Sequence, residues 1–263
     1  MAASDAPRRG GCWRPGAGVP REASMRIAAV GDIHCRKDAA GTIAPHLAPV
    51  NDLAEVLLLC GDLTDYGLAE EAHVLAKELS VVRIPIIAVL GNHDWESGAQ
   101  DEVARILREA GVQVLDGDAC EVRDVGFAGI KGFIGGFGRA TLGHWGEPVV
   151  KRFVQEAIDE ALKLESALSR LRTGRRVALM HYAPIQETVM GEPTEIVAFL
   201  GNSRLAEPLG RYPVDAVFHG HAHHGTPEAR SPTGIPVYNV AMPLMRRAFP
   251  DSPPFRVLDL DAM

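Results

Sequence analysis

Short apolar runs recur along the chain, and segments in which apolar residues return every three or four positions lie between some of them. A compact apolar run bounded by turn residues is typical of a buried strand, whereas the longer repeat is typical of an amphipathic helix. The runs predict strands over residues 25–30, 56–60, 84–90, 112–115, 120–123, 125–130, 177–180, 216–218, 237–241 and 255–260. The repeats predict helices over residues 68–80, 101–110 and 147–172. Strands interleaved with helices indicate an α/β fold.

Three segments lack a clear period. Residues 40–52 contain two prolines and are expected to be irregular or a short helix, and residues 191–209 are expected to form an excursion with one or two helical turns. Residues 1–24 are rich in Gly, Pro, Arg and Ala, so we expect a disordered tail there. Met25 stands directly before the first strand, and we hypothesise that translation naturally starts there. Residues 25–263 are long enough to form one domain with a well-buried core.

Composition narrows the function classes. The net charge of −7 argues against electrostatic binding to nucleic acid or to an anionic membrane. No apolar run approaches the roughly 20 residues that a membrane span needs. The four cysteines show no Cys-x-x-Cys spacing, which argues against a zinc–thiolate site and indicates a reduced, cytoplasmic protein.

Oxygen and nitrogen ligands follow five of the predicted strands. They are Asp32 with His34, Asp62, Asn92 with His93, His181, and His221 with His223. We expect Asp32 and His34 to point to the same side, because side chains alternate along an extended segment. Each group alone also fits a polar turn or a structural histidine. Together they indicate two metal ions at the carboxyl ends of the strands, with Asp62 well placed to bridge them.

Several neighbouring residues are assigned other roles. Asp65 is expected to cap the helix over residues 68–80, and His73 on that helix is expected to be exposed. His219 and His224 are expected not to be ligands, although a role behind the ligands stays open. The glycine-rich residues 132–146 are interpreted as a mobile loop beside the active site, with a phosphate cradle or a simple connector as alternatives. Its candidate substrate contacts are Phe137, His144 and Trp145.

The ordered motifs resemble those of the calcineurin-like metallophosphoesterases. They are Asp32-Ile33-His34, Gly61-Asp62-Leu63-Thr64-Asp65, Gly91-Asn92-His93-Asp94, His181 and Gly220-His221-Ala222-His223. The resemblance implies a four-layer α-β-β-α sandwich that holds two metal ions, with manganese, iron, zinc and nickel all compatible. It assigns the first ion to Asp32, His34, Asp62 and His223, and the second to Asp62, Asn92, His181 and His221. It further implies that a hydroxide bridging the ions is the nucleophile, and that His93, oriented by Asp94, protonates the leaving oxygen or holds the phosphate.

The same resemblance orders the candidate functions. Residues 61–67 lack the arginine that follows this block in the protein serine/threonine phosphatases and are more similar to bacterial cyclic-nucleotide-type phosphodiesterases. We therefore expect a small phosphodiester or nucleotide as substrate, with a phosphomonoesterase as the alternative and a nuclease as a weaker third. The family also includes a catalytically inert scaffold. The presence of His93 and of every ligand favours an enzyme.

Overall fold

The computed structural model describes residues 25–262, so the tail predicted over residues 1–24 lies outside the described part of the chain. The strands in chain order are β1 (Arg26–Val30), β2 (Val56–Cys60), β3 (Ile86–Val89), β4 (Val112–Val114), β5 (Asp118–Val122), β6 (Val125–Gly129), β7 (Arg175–Leu179), β8 (Ala216–His219), β9 (Glu228–Arg230), β10 (Pro236–Asn239) and β11 (Arg256–Asp259). The α-helices are α1 (Ala44–Leu47), α2 (Val50–Leu53), α3 (Ala69–Leu79), α4 (Gln100–Glu109), α5 (Pro148–Arg170), α6 (Ala206–Arg211) and α7 (Met242–Ala248).

The strands form two sheets. The first has the order β11-β1-β2-β3-β4, in which β1 to β4 are parallel and β11 pairs antiparallel with β1. The second has the order β5-β6-β7-β8-β10-β9, in which the four central strands are parallel and both edge strands are antiparallel. The chain therefore leaves the first sheet after β4 and returns to it only with β11.

Both faces of the central strands are buried, which explains why these strands are continuous apolar runs in the sequence. Along β1, Ile27 and Ala29 face the second sheet, whereas Ala28 and Val30 face the helices. The layer between the sheets includes Ile27, Leu58, Phe127, Val177 and Phe218. The outer layer over the first sheet includes Leu47, Leu57, Leu75 and Leu107. The outer layer over the second sheet includes Ile130, Leu164, Leu168 and Val217. The predicted four-layer α-β-β-α sandwich is confirmed.

Most predicted elements are present with small changes at their ends. The helix predicted over residues 147–172 is α5, and the short helix allowed for residues 40–52 is the pair α1 and α2. Two elements were not predicted. β9 is short and mostly exposed, so it has no apolar run, and α7 is only seven residues long. Within residues 25–262 no helix has both the length and the apolar character needed to cross a membrane.

Candidate metal centre

The ligand-bearing strand ends meet at one edge of the sandwich. β1, β2 and β3 belong to the first sheet and β7 and β8 to the second, and hydrogen bonds hold the two sets together. The N–H of Gly31 donates to the carbonyl oxygen of Val240 at 2.9 Å, and Nδ1 of His181 lies 3.0 Å from the carbonyl oxygen of Cys60. Residues distant in sequence therefore share one site, because parallel strands present their carboxyl ends to the same edge.

The backbone at this edge is left-handed rather than extended. Among the described residues, four of the five non-glycine residues with positive φ are candidate ligands: Asp32 (56°), His34 (47°), Asp62 (48°) and His221 (68°). The prediction that Asp32 and His34 share a side because the segment is extended is therefore wrong in its premise, although the two side chains do converge. Such conformations are costly for residues with a Cβ, and proteins retain them mainly at functional sites.

Glycine precedes four of the candidate ligands, and at three of these steps a larger residue would collide with another candidate ligand. A Cβ atom on Gly61 would lie 2.5 Å from Nδ1 of His181. A Cβ on Gly91 would collide with the Asp62 carboxylate, and one on Gly220 with the Asp32 carboxylate. The Gly-Asp, Gly-Asn and Gly-His steps therefore let each strand end pack against a ligand from another strand.

The first ligand group contains Asp32, His34 and His223, whose ligand atoms lie within 4.8 Å of one another. Nε2 of His223 lies 2.9 Å from Oδ1 of Asp32, and this hydrogen bond raises the pKa of the His223 imidazole. Burial lowers the pKa of the His34 imidazole and outweighs the nearby Asp62 and Asp32 carboxylates, which raise it. Nε2 of His34 is buried and has no hydrogen-bond partner among residues 25–262. An unpaired buried nitrogen is costly to leave, and a bound cation would satisfy it.

The second group contains Asp62, His181 and His221, again within 4.8 Å. Nδ1 of His181 donates to a carbonyl oxygen, yet Nε2 of the same ring faces Oδ1 of Asn92 at 2.8 Å and Oδ1 of Asp62 at 3.3 Å. Because both of these oxygen atoms are hydrogen-bond acceptors, Nε2 must carry a second proton or share a cation with them. Burial by itself lowers the pKa of His181, but the Asp62 carboxylate outweighs burial and raises it to about 9. A metal ion between these groups would replace that proton.

His221 completes the second group. Its Nε2 lies 3.1 Å from the carbonyl oxygen of Phe199, which can only accept a hydrogen bond. The proton is therefore on Nε2, and Nδ1 is left as a free lone pair, as in histidines whose orientation toward a metal is fixed by an outer partner. Burial lowers the pKa of His221 to about 4, so the ring stays neutral at physiological pH.

Asp62 lies between the two groups. Its Oδ1 faces His181, and its Oδ2 lies 3.8 Å from Nε2 of His34. Burial opposes its ionisation, but His181 more than compensates and lowers the pKa of the carboxyl. A buried, ionised carboxylate that offers one oxygen to each side has the geometry of a bridging ligand. The mixed oxygen and nitrogen donors and the unpaired His34 nitrogen fit two divalent or trivalent ions.

His93 stands beside the ligands. Its Nδ1 lies 2.7 Å from the carbonyl oxygen of Asp65, and its Nε2 lies 4.0 Å from Oδ2 of Asp62. The ring is 40% exposed and lines the cleft over the site. The predicted pairing of Asp94 with this ring is wrong. Asp94 is fully buried and accepts hydrogen bonds from Leu63 N, Thr64 N, Thr64 Oγ1 and Gly91 N.

Asp94 therefore links the loop after β2 to the loop after β3 and fixes the relative positions of the candidate ligands on these loops. Burial raises the pKa of its carboxyl to about 6, and the nearby Asp62 charge adds to the effect.

The prediction that Asp65 caps α3 is also wrong. The carboxylate of Asp65 faces Nδ1 of His34 at 3.2 Å, while Glu71 accepts from Tyr66 N and Leu68 N at the start of α3. Asp65 thus supports His34 and, through its carbonyl oxygen, His93.

The two remaining histidines of the cluster contact neighbours outside the ligand groups. His219 is buried between the carbonyl oxygen of Gly220 and Oγ1 of Thr188, and burial lowers its pKa to about 4. His224 is exposed, and its Nδ1 accepts a hydrogen bond from Arg247. His73 on α3 is exposed, as predicted.

The cleft over the ligands has a volume of about 310 Å³. One of its walls comes from the segment after β7, where Glu192, Ile196 and Leu200 line it. Sequence reasoning missed these residues, because the segment has neither an apolar run nor a helical repeat. Of the predicted contacts in residues 132–146, Phe137 is buried and packs with Leu200. His144 and Trp145 are exposed and do not line this cleft.

Comparisons with known proteins concern the fold and the family of the chain. A search of curated protein sequences gave no significant match. The phosphopantetheinyl hydrolase of Mycobacterium tuberculosis is similar in structure, with a TM-score of 0.64 at 14% identity over 90% of this chain and 96% of that one. The purple acid phosphatase PPD1 of yellow lupin (Lupinus luteus) gives a TM-score of 0.49 at 14% identity over 76% of this chain and 38% of that one.

At such low identity the tuberculosis protein shows a shared fold alone. The profile of the calcineurin-like phosphoesterases matches residues 25–225, which include every candidate ligand. The chain belongs to the calcineurin-like phosphoesterase family.

Proposed function

We propose that this protein hydrolyses phosphate esters with two metal ions, and that its preferred substrate is a small phosphodiester. The observation that carries the proposal is the position of Asp62, with one carboxylate oxygen toward each of two ligand groups. A pair of ions bridged in this way is the arrangement that stabilises both the attacking and the leaving oxygen in displacement at phosphorus.

The proposed ligands fall into two sets that share one residue. The first ion would be held by Asp32, His34, Asp62 and His223, and the second by Asp62, Asn92, His181 and His221. Ions bound there would polarise the phosphate and lower the pKa of water toward neutrality. Oxygen and nitrogen donors of this kind accept manganese, iron, zinc or nickel, so availability would decide the loading.

His93 is proposed to act on the leaving oxygen. The proton on its Nδ1 is fixed by the carbonyl oxygen of Asp65, so Nε2 can donate a proton only when the ring is the imidazolium. That nitrogen lies 4.0 Å from Oδ2 of Asp62, at the edge of the candidate metal centre. His93 would then either give the Nε2 proton to the departing alkoxide or hold a phosphate oxygen.

We propose a diester rather than a monoester as the substrate, because residues 61–67 lack the arginine that follows the Gly-Asp-x-x-Asp motif in the phosphoprotein phosphatases. The similar structure from Mycobacterium tuberculosis is described as a phosphopantetheinyl hydrolase, which supports a phosphate joined to an organic group as the substrate class. A cytoplasmic location is proposed with this function, because Cys35, Cys60 and Cys120 are all unpaired.

A hydrolysis screen tests the proposal. Protein stripped of metal and reloaded with manganese would be assayed on bis(p-nitrophenyl) phosphate, p-nitrophenyl phosphate and cyclic nucleotides. We expect a higher kcat/KM for the diesters, loss of turnover in Asp62→Asn, and unchanged turnover in Asp38→Asn, whose side chain is 73% exposed. Preference for the monoester would make the protein a phosphomonoesterase. No turnover of any ester with both ions bound would make it a scaffold.

A further inference from the structure

A single 3₁₀ helix separates the metal cleft from a second cavity. This helix, Thr194–Phe199, presents Ile196 to the metal cleft. Its Thr194, Val197 and Ala198 line a cavity of about 280 Å³ on the other side. Glu192 lines both spaces, so they adjoin at that residue.

The second cavity is mainly apolar. Phe137 and Val189 form its buried floor, and Met190, which is 56% exposed, stands at its opening. Phe137 comes from the glycine-rich segment, whereas Val189 and Met190 come from the chain before the dividing helix. The volume is close to the lower end of the range for small-molecule sites in proteins. An apolar space of this size joined to a catalytic cleft is suited to part of a substrate.

The dividing helix is fixed to both neighbouring structures. The N–H of Gly135 donates to the carbonyl oxygen of Ala198 at 3.1 Å, and the carbonyl oxygen of Phe199 lies 3.1 Å from Nε2 of His221. The N–H of His224 donates to Oε1 of Glu192 at 2.6 Å. These hydrogen bonds therefore fix the position of the dividing helix relative to the loop after β8, which contains His221.

We propose that this cavity binds a neutral, apolar arm of the substrate whose phosphate lies at the metal centre. The inference rests on the proposed function and adds the chemistry of the ester group. Two observations favour that chemistry. The lining includes the apolar side chains of Phe137, Val189, Met190 and Val197, against which an apolar arm would be removed from water. The Glu192 carboxylate at the junction would repel an anionic arm. The substrate is thus a phosphodiester in which one alcohol is an alkyl or aryl group.

A series of alkyl p-nitrophenyl phosphates tests this, with methyl, butyl and hexyl arms and release of p-nitrophenolate as the readout. Burial of each methylene group should raise kcat/KM about fourfold, so the hexyl ester, with five more methylene groups, should exceed the methyl ester by roughly 10³-fold. Met190→Glu should remove the dependence on arm length, so that the methyl and hexyl esters are hydrolysed with similar kcat/KM. Leu162→Glu is the matched control, because Leu162 is 55% exposed on α5 and does not line the metal cleft or the apolar cavity.

Calorimetry supplies a readout that does not depend on turnover. Metal-loaded protein should bind hexylphosphonate roughly 10³-fold more tightly than methylphosphonate, and Met190→Glu should abolish the difference. Hydrolysis at rates independent of arm length, together with equal phosphonate affinities, would overturn the inference and leave the proposed function standing. Hydrolysis of none of the esters would overturn the proposed function, and the phosphonate affinities would still decide whether the cavity binds an apolar arm.

Discussion

The substitution Gly61→Ala tests whether the close packing of Gly61 on His181 fixes the position of this candidate ligand. The added methyl group would lie 2.5 Å from Nδ1 and 2.6 Å from Cγ of His181, where ordinary contacts begin near 3.5 Å. His181 is fully buried, so its ring must move by about 1 Å to restore ordinary contacts or push the loop after β2 away. Metal–ligand distances tolerate only about 0.2 Å, and we therefore expect the second ion to be lost.

The backbone adds a second cost, because Gly61 has a φ of +82°. A residue with a Cβ in that conformation loses about 1–2 kcal/mol. Gly234→Ala is the matched control, since Gly234 has a φ of +87° and, apart from its chain neighbours, no atom of the described residues lies within 4 Å of the place that its new methyl group would take. The control should lose about 1–2 kcal/mol of unfolding free energy, and Gly61→Ala about 2–5 kcal/mol, because overpacking costs a further 1–3 kcal/mol.

The assay combines urea unfolding, elemental analysis and turnover on both variants. Gly61→Ala should lose at least roughly 10²-fold in kcat, as expected for a misplacement of this size, whereas Gly234→Ala should retain wild-type kcat and metal content. Equal stability, metal content and kcat in the two variants would refute the reasoning. The close packing of Gly61 on His181 would then not be what fixes the ligand.

Three further predictions concern single residues and the tail. His93→Ala should keep both ions and lose about 10²–10⁴-fold in kcat, most strongly for poor leaving groups such as a nucleoside alcohol; equal losses for p-nitrophenolate would indicate phosphate binding instead. Asp94→Ala leaves four hydrogen-bond donors without their acceptor and should lower stability and metal affinity with no dependence on the leaving group; a loss confined to poor leaving groups would restore the orienting role. A chain that starts at Met25 should fold with full kcat, and loss of solubility or turnover would show that residues 1–24 pack on the domain.

The sequence predicted the fold correctly and indicated candidate ligand residues, because both leave local signals. Strands buried on both faces must be apolar throughout, and β2 (Val56–Cys60) is a clear case. Asp62 and His221 could be recognised as candidate ligands, because polar residues that follow buried strands closely have few structural roles. Their assignment as metal ligands stays a prediction until an ion is measured.

Other features depend on contacts between distant parts of the chain. Asp65 resembles a helix cap in the sequence, but the fold places it beside His34, and Glu71 takes the capping role. Asp94 follows His93 directly, yet its side chain points toward the loop after β2, since four donors converge there. Ile196 lies in a segment without periodicity, so only the tertiary structure shows that it forms a wall of the cleft.

The number of metal ions in the wild-type protein and in Asp62→Ala tests the central claim most directly. Asp62 has one oxygen toward each ligand group, so removal of its carboxylate should weaken both sites at once. Elemental analysis should give about two ions per wild-type chain and well under one per chain of Asp62→Ala, with Asp38→Asn at the wild-type value. One ion per wild-type chain, retained in Asp62→Ala, would contradict the bridging role and the dinuclear mechanism with it.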